Sequence, residues 1–413
     1  MKVAPELIVF YSAYTFKFLK EHGLEVYVTS RDVSKSFKKI LTINPIASLQ
    51  HQGDAGCIFV RPLSYSLDDR NEILEGTASR FSLLSRFPHL NFILGQASCL
   101  IYIFTRYDLR KVKLIRAEDP RFSGLWGLIF SKILRKPLIT GVWGNPSKIR
   151  AATQKPLMPR LFQNIKQEIT LERYVLLKSR LVLAQNEENL TYVKSMGVAK
   201  NRLRLTPLGV GIDKVHYEDR SRRLDVSLDL LNIGVSQEKI IVCIARLEEM
   251  KNVNHAIRSI VFAELADVPY KLLIIGQGSE LENLKNLATS LGIAENILFL
   301  GSRSQLWIAG LLARADLAIA PLSGRALLEI GLAGCPVVAY DVDWHSEIVL
   351  TNETGILVPN LDTRALGVAV RCLLKDDSLR RKMGENILRL ANKLASPEKQ
   401  VANQKSIYQE LMR

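Results

Sequence analysis

The stretch from Ala315 to Val349 constrains the fold more than any other part of the chain. Leu317 to Ala320 reads as a buried strand and Pro321-Leu322-Ser323-Gly324 as a turn. Arg325 to about Ala333 reads as a helix with Ser323 or Gly324 near its N-cap. Gly334-Cys335-Pro336 stops it before a second buried strand from Pro336 to Tyr340. A strand, helix and strand in this order form a crossover unit, which points to an α/β sheet. The helix N-terminus offers free backbone N–H groups and the positive end of the dipole, both suited to a phosphate. One turn further in, Glu329 could accept hydrogen bonds from ribose hydroxyls. An ordinary crossover with a surface Glu has the same pattern, and on this stretch alone both readings stand.

A chain of 413 residues is long enough for two domains, and 47% hydrophobic with 23% charged residues is a globular composition. Cys57, Cys99, Cys243, Cys335 and Cys372 are odd in number, widely spaced and without metal-ligand spacing. They are expected to be reduced core thiols of a cytoplasmic protein. The apolar N-terminus carries Glu6 and Lys17 and lacks a cleavage site of small residues, so no signal peptide is expected. Phe92 to Thr105, the longest apolar run, contains Gln96 and is too short to span a bilayer. Of the formal charge of +15, a net +14 lies in residues 1–200. One-sided basicity implies an anionic partner such as a membrane leaflet, an anionic polymer or nucleic acid.

Along the first half, residues 5–22 read as a helix and Leu24 to Thr29 as a strand. Residues 30–56 read as polar and irregular, Cys57 to Val60 as a strand, and 68–106 as helical. This leaves only Met1 to Ala4 for a first strand. Lys111 to Arg116 and Leu138 to Val142 read as strands flanking a helix from Phe122 to Leu134. Open α/β sheets bind ligands beyond the carboxyl ends of their strands. Glu118, Asp119 and Asn145 therefore belong to one candidate cleft edge, with loop capping and an Asn-Pro turn as the plainer alternative. Lys148, Arg150, Lys155, Arg160 and Lys166 stand among apolar residues in the segment 147–179, an amphipathic element that could lie on an anionic membrane or pack on its own domain. Strands follow at Leu181 to Ala184 and Leu203 to Pro207, and the charged stretch 213–232 contains the linker.

The second half restarts the pattern, with strands at Lys239 to Ala245, Lys271 to Ile275, Ile297 to Leu300 and Ile356 to Val358 around the opening unit. Arg246 and Lys251 flank a strand-to-helix loop, where two cations can clamp a diphosphate. Gly276-Gln277-Gly278 is by itself a weak signal. The expected domains are 1–215 and 216–395, with 396–413 a C-terminal helix able to return to the first domain.

Arg246-Leu-Glu-Glu-Met-Lys251-Asn252, Ile275-Gly-Gln-Gly278, Phe299-Leu-Gly301, Ala315-Asp-Leu, Leu328-Glu329 and Gly334-Cys-Pro-Val-Val-Ala-Tyr together resemble the nucleotide-sugar domain of retaining glycosyltransferases. The group resembled is family four. Arg116-Ala-Glu-Asp-Pro120, Gly124 to Leu134 and Lys136 to Asn145 resemble the acceptor-side domain, and Pro207 to Asp213 the family's interdomain link. The resemblance implies the GT-B fold, two doubly wound Rossmann-like domains facing a cleft. It implies that Arg246 and Lys251 neutralise the donor diphosphate, whose charge grows as the sugar leaves. Glu329 would hold the ribose. Ser323, Gly324 and Arg325 would meet the phosphates, and Gly278 would admit the donor to the backbone. Arg303 lies where the base-contacting loop runs, and Glu347 matches a Glu after the second strand. No cofactor and no metal are expected.

Two departures stand out. The family usually has two Glu with seven residues between them, and counting back from Glu329 the first of these positions is Pro321 here. Relatives often carry His where this chain has Trp143, whose ring has no acid or base function but could stack on a sugar. Asp341, Asp343 and His345, just after the second strand, could compensate, or Asp343 and Trp344 could simply shape a turn. The expected activity is transfer of a sugar from a nucleotide-diphosphate sugar to a hydroxyl of a lipid-linked or cell-surface glycan, with retention, at the inner membrane face. The alternative is a non-catalytic homologue that binds nucleotide sugar or partners another transferase. Nucleic acid binding is not favoured, because no nucleic-acid motif accompanies the basic charge.

Overall fold

The computed structural model describes residues 3–21, 24–47, 62–76, 87–158, 161–206, 217 and 226–412. The expected strand at Cys57 to Val60, the link at Pro207 to Asp213 and Arg160 lie outside the described residues. The chain divides into two compact units, Met1–Gly211 with Pro397–Arg413, and Ile212–Ser396.

The first unit holds an eight-stranded sheet: β1 (Leu7–Phe10), β2 (Ile40–Asn44), β3 (Leu63–Ser66), β4 (Asn71–Glu75), β5 (Leu114–Ala117), β6 (Leu138–Val142), β7 (Leu181–Ala184) and β8 (Leu203–Leu205). Their order is β3-β4-β2-β1-β5-β6-β7-β8. Neighbours pair parallel except the edge pair β3 and β4. Every residue of β1, β2, β5, β6 and β7 is buried, as sheets covered on both faces require.

Here the N-terminal expectations fail. Leu7–Phe10 is a strand, registered on β2 at Leu7 with Ile40 and on β5 at Leu7 with Leu114, and the helix that follows spans only Phe16–Glu21. The expected strand at Leu24 to Thr29 is a short helix, Val26–Thr29. The region read as polar contains β2, and the region read as helical from 68 contains β4 before the helix Pro88–Arg106 begins. Buried polar groups disguised these strands. Asn44 Nδ2 donates to the Tyr14 carbonyl at 3.1 Å, and Glu75 accepts from the Phe16 N–H. The helix Pro397–Met412 belongs to this unit. Tyr408 is fully buried, and Gln404 Oε1 accepts from the Ser34 N–H at 3.0 Å.

The second unit holds a six-stranded sheet: β9 (Lys239–Ile244), β10 (Tyr270–Ile275), β11 (Ile297–Gly301), β12 (Leu317–Ala320), β13 (Val337–Tyr340) and β14 (Gly355–Val358), in the order β11-β10-β9-β12-β13-β14. All neighbours are parallel. These strands fall where the sequence indicates them, to within about a residue at each end. Helices connect them, and both faces are covered. Val253–Ala263 and Thr363–Lys375 pack on one another so closely that a side chain on Gly367 would overlap the Ser259 carbonyl.

Each sheet winds outward in two directions from one point. In the second, β9, β10 and β11 run one way and β12, β13 and β14 the other, so the reversal falls between β9 and β12. In the first it falls between β1 and β5. Crevices at such reversals, beyond the strands' carboxyl ends, are the ligand positions of doubly wound sheets. Cys99, Cys243 and Cys335 are buried, and burial pushes the first two thiols up to about 12. Cys372 is exposed, contrary to its assignment to the core.

Candidate functional site

In the second unit, register levels the strand ends. Ala318 sits beside Val242 and Val337, and Ile275 beside Ile244 and Gly301. The loops carrying Arg246 and Lys251, Gly278, Arg303, Ser323 to Glu329, and Glu347 therefore all leave one edge of one sheet. Arg246 is exposed, and Lys251 is partly buried just before Asn252, which turns left-handed at φ 52° to start the helix Val253–Ala263. Burial lowers the Lys251 pKa, the nearby Arg246 charge lowers it further, and Asp343 opposes both. Neither cation closes an ion pair with a described residue.

The turn after β12 is pinned by one of the residues named above as able to compensate for the two departures. His345 is fully buried and follows β13. Its Nδ1 lies 2.9 Å from the Tyr340 carbonyl, and its Nε2 lies 3.1 Å from both the N–H and the carbonyl of Ser323. With the ring neutral and its proton on Nδ1, bonded to the Tyr340 carbonyl, Nε2 accepts from the Ser323 N–H. Burial depresses the His345 pKa, and Lys251 contributes in the same direction. That effect brings the β9 loop into electrostatic reach of the β12 and β13 loops. The Ser323 N–H is thereby committed inside the protein, which corrects the expectation that it faces a phosphate. Gly324, the N-cap of Arg325–Leu332, makes no side-chain cap, and a Cβ built on it would meet nothing within 4 Å. Gly324 itself is exposed, so among the described residues nothing covers it.

Glu329 is 4% exposed. Gln305 Nε2 donates to its Oε1 at 3.1 Å, and Arg325 Nε lies 3.4 Å from the same oxygen. Burial raises its pKa, opposed by Arg325 and then by Gln305. Gln305 escaped the sequence reading, since only the fold brings residues 24 apart into contact. Arg303, two strands from β9 and thus about 10 Å away in the sheet, is exposed, with its guanidinium 5.2 Å from the Trp307 ring centroid. Trp307 Nε1 donates to Asp229 at 2.8 Å. Gly278 has an internal reason to be glycine, because a Cβ there would overlap the Leu247 backbone. Glu347 closes the 3₁₀ turn His345–Glu347 and is half-buried. Among the described residues, no group of three or more His, Cys, Asp or Glu could hold a metal ion.

The first unit's reversal is wired differently. Glu118, beyond β5, takes Arg116 Nε at 2.7 Å and Arg31 Nε at 3.2 Å. Both arginines are buried, and Arg116 also donates to Tyr408 at 2.8 Å. Asp119 accepts from Ser12 Oγ at 3.1 Å and from the Arg121 N–H at 2.8 Å. Ser12 follows β1, and reading that strand as helix hid it. Asn145 Oδ1 caps the helix Pro146–Thr153, and its amide donates to Glu188 at 2.6 Å. Trp143 folds back over Gly141, where a Cβ would overlap its ring, and packs against the core below β6. It is not the open sugar platform its sequence position allowed. Arg150, expected among exposed cations, is buried and bonded to Glu168 at 2.8 Å, to Glu172, and to Tyr192 at 3.3 Å.

Comparison with known proteins covers the two units unequally. Residues 233–389 match the family model Glycosyl transferases group 1. An exopolysaccharide phosphotransferase of Streptomyces coelicolor is 39% identical over 157 residues, 36% of this chain and 16% of that protein. The N-acetyl-alpha-D-glucosaminyl L-malate synthase of Bacillus anthracis is 31% identical over 186 residues, 44% of this chain and 48% of that protein. The matches to these relatives span less than half of their length. The crystal structure of Anabaena HepE in complex with UDP-glucose aligns over 98% of this chain and 100% of its own, with a TM-score of 0.69 at 17% identity. The fold is GT-B, two parallel-sheet Rossmann-like domains.

Proposed function

We propose that the chain is a retaining glycosyltransferase of family four. It moves a sugar from a nucleotide-diphosphate sugar to a hydroxyl of a lipid-linked or cell-surface glycan, in the cytoplasm at the inner face of a membrane. The observation that carries this reading is the charge at the second unit's reversal. Arg246 and Lys251 stand in electrostatic reach of each other, with no ion pair closed on either by a described residue. Like charges held together and partly desolvated favour a dianionic group between them, and a diphosphate supplies one.

In this reading the open N-terminus of Arg325–Leu332 receives a phosphate and Glu329 accepts from ribose hydroxyls. Arg325 and Gln305 orient Glu329 and oppose the burial that raises its pKa. Arg303 and Gly278 flank the donor, and Glu347 with Asp343 lies on the sugar side. As the glycosyl bond breaks, negative charge grows on the diphosphate, and the two cations stabilise it most in the transition state. Glu118, Asp119, Trp143 and Asn145 shape the acceptor side, mainly by holding its loops, since each already has partners within its own unit. No cofactor and no metal enter this scheme.

A second reading keeps donor binding and gives up turnover. The buried Pro321 where a carboxylate would meet the sugar, and the packed Trp143, favour it. Release of labelled sugar from a panel of nucleotide sugars, with and without lipid extract as acceptor, separates the two. Transfer with retained configuration is expected. Saturable donor binding with neither hydrolysis nor transfer would establish the second reading.

A further inference from the structure

We propose that the helix Pro88–Arg106, together with its neighbour Phe122–Leu134, is the surface by which this chain lies on an anionic lipid leaflet. The proposal deepens the membrane-side reading above and replaces the segment 147–179 as its contact. At 100° per residue, Leu90, Ile93, Ile101 and Phe104 fall within about 80° of one another, a stripe ~21 Å long. All four are exposed, Ile93 to 60% and Ile101 to 65%. The opposite face, with Cys99 and Ile103, is buried in the core.

The neighbouring helix widens the stripe. Phe92 meets Phe122 at 5.7 Å, Trp126 donates to Gln96 at 3.1 Å, and Phe104 stacks on Phe130 at 5.6 Å. The contacts advance together along both helices, so the two run the same way and end side by side. Ile129 and Ile133 add exposed apolar surface next to Phe104. At that common end stand the exposed cations Arg106, Lys132 and Arg135. Lys132 lies 5.9 Å from the ring centroid of Tyr174, an exposed aromatic with a polar tip.

Neither helix contains an Asp or a Glu. Asp108 just beyond is taken by Arg110 at 2.9 Å, and Glu6 by Lys113 at 3.0 Å. Among the described residues no helix is long and apolar enough to cross a membrane. An apolar stripe rimmed by cations suits an element lying in the headgroup layer, its apolar side towards the acyl chains and its charges on anionic phosphates. A second copy of the chain fits less well, because it would bring more cations to this rim and no acid to meet them.

The test is flotation of the full chain with vesicles of equal parts phosphatidylcholine and phosphatidylglycerol, and with phosphatidylcholine alone. One variant combines Ile93→Glu with Ile101→Glu, and a second combines Arg106→Glu, Lys132→Glu and Arg135→Glu. A third, Lys148→Glu with Lys166→Glu, probes the rejected segment. Wild type is expected to float with the anionic vesicles and far less with the neutral ones. Each of the first two variants should lose about tenfold in bound fraction, and the third should not change. The altered positions are exposed, so circular dichroism and the unfolding midpoint should match wild type, and each charge set checks the other. Wild type that stays at the bottom with anionic vesicles, or either of the first two variants floating like wild type, overturns the proposal. So does concentration-dependent self-association without lipid that the Ile variant abolishes, since that gives the surface to a second copy. Nucleotide-sugar binding measured on the same proteins in solution judges the transfer reading separately.

Discussion

Beyond β5 the Glu118 carboxylate is gripped by Arg116 and Arg31, and both arginines are spent on it and on their own neighbours. Beyond β9 Arg246 and Lys251 stand near one another with Asp343 in electrostatic reach and no closed pair among the described residues. The two reversals occupy equivalent places in two sheets of the same design, yet one is saturated and the other is not. A closed buried network fixes loops, because each of its charged side chains already has a partner. An unsaturated pair of cations waits for an anion from outside. Function is therefore sought at the second reversal, and support for loops at the first.

The first unit holds a second closed network, around Arg150, and the comparison breaks most visibly if that network is cut. Arg150→Ala leaves Glu168 and Glu172 buried with their main cation gone. Removing one partner of such a network costs about 3–5 kcal/mol. The urea midpoint of the first unit should fall accordingly, while donor binding in the second unit holds. A midpoint unchanged from wild type would show the network to be ornamental.

His345 sharpens the contrast, being a structural residue inside the unsaturated site. His345→Phe leaves the Ser323 N–H without its acceptor, a loss of about 1–3 kcal/mol. Denaturant unfolding of the second unit should show it, with weaker donor binding because the turn after β12 loosens. The same ring sets a pH response. Its folded-state pKa is depressed, so its contribution is fully present above the unfolded value of about 6.5 and is lost as pH falls towards the lowered one. Protonation would turn Nε2 into a donor, which could no longer accept from the Ser323 N–H and would turn to the Ser323 carbonyl 3.1 Å away. Stability measured across that window should fall on acidification, less steeply in His345→Phe. The smallest effect is expected from Arg303→Ala. An exposed cation over a ring contributes about 0.5–1 kcal/mol, so calorimetry should find donor affinity reduced severalfold at most.

How far the sequence carried differs between the same two regions. In the second unit the strands Lys239–Ile244, Leu317–Ala320 and Val337–Tyr340 are short apolar runs bounded by Gly, Pro or charge, and they stand where such runs indicate. In the first unit, Leu7–Phe10 runs straight into Tyr11, Tyr14 and Phe16, and the longer apolar stretch mimics a helix. Asn44 and Glu75 look like surface residues until the fold supplies their partners, 30 and 59 residues away. Arg246, Lys251 and Glu329 were legible because each sits in a local motif. His345 with Ser323, Gln305 with Glu329, and Arg31 with Glu118 were not, since each pair meets only after the chain folds.

The central claim is that the second reversal grips a nucleotide-diphosphate sugar through Arg246, Lys251 and Glu329. Calorimetric titration of uridine-, guanosine- and adenosine-diphosphate sugars into wild type and into Arg246→Ala with Lys251→Ala tests it directly. One donor should saturate wild type, and the double variant, folded with an unchanged unfolding midpoint, should bind it about a hundredfold more weakly. Equal affinity in the two proteins would contradict the account.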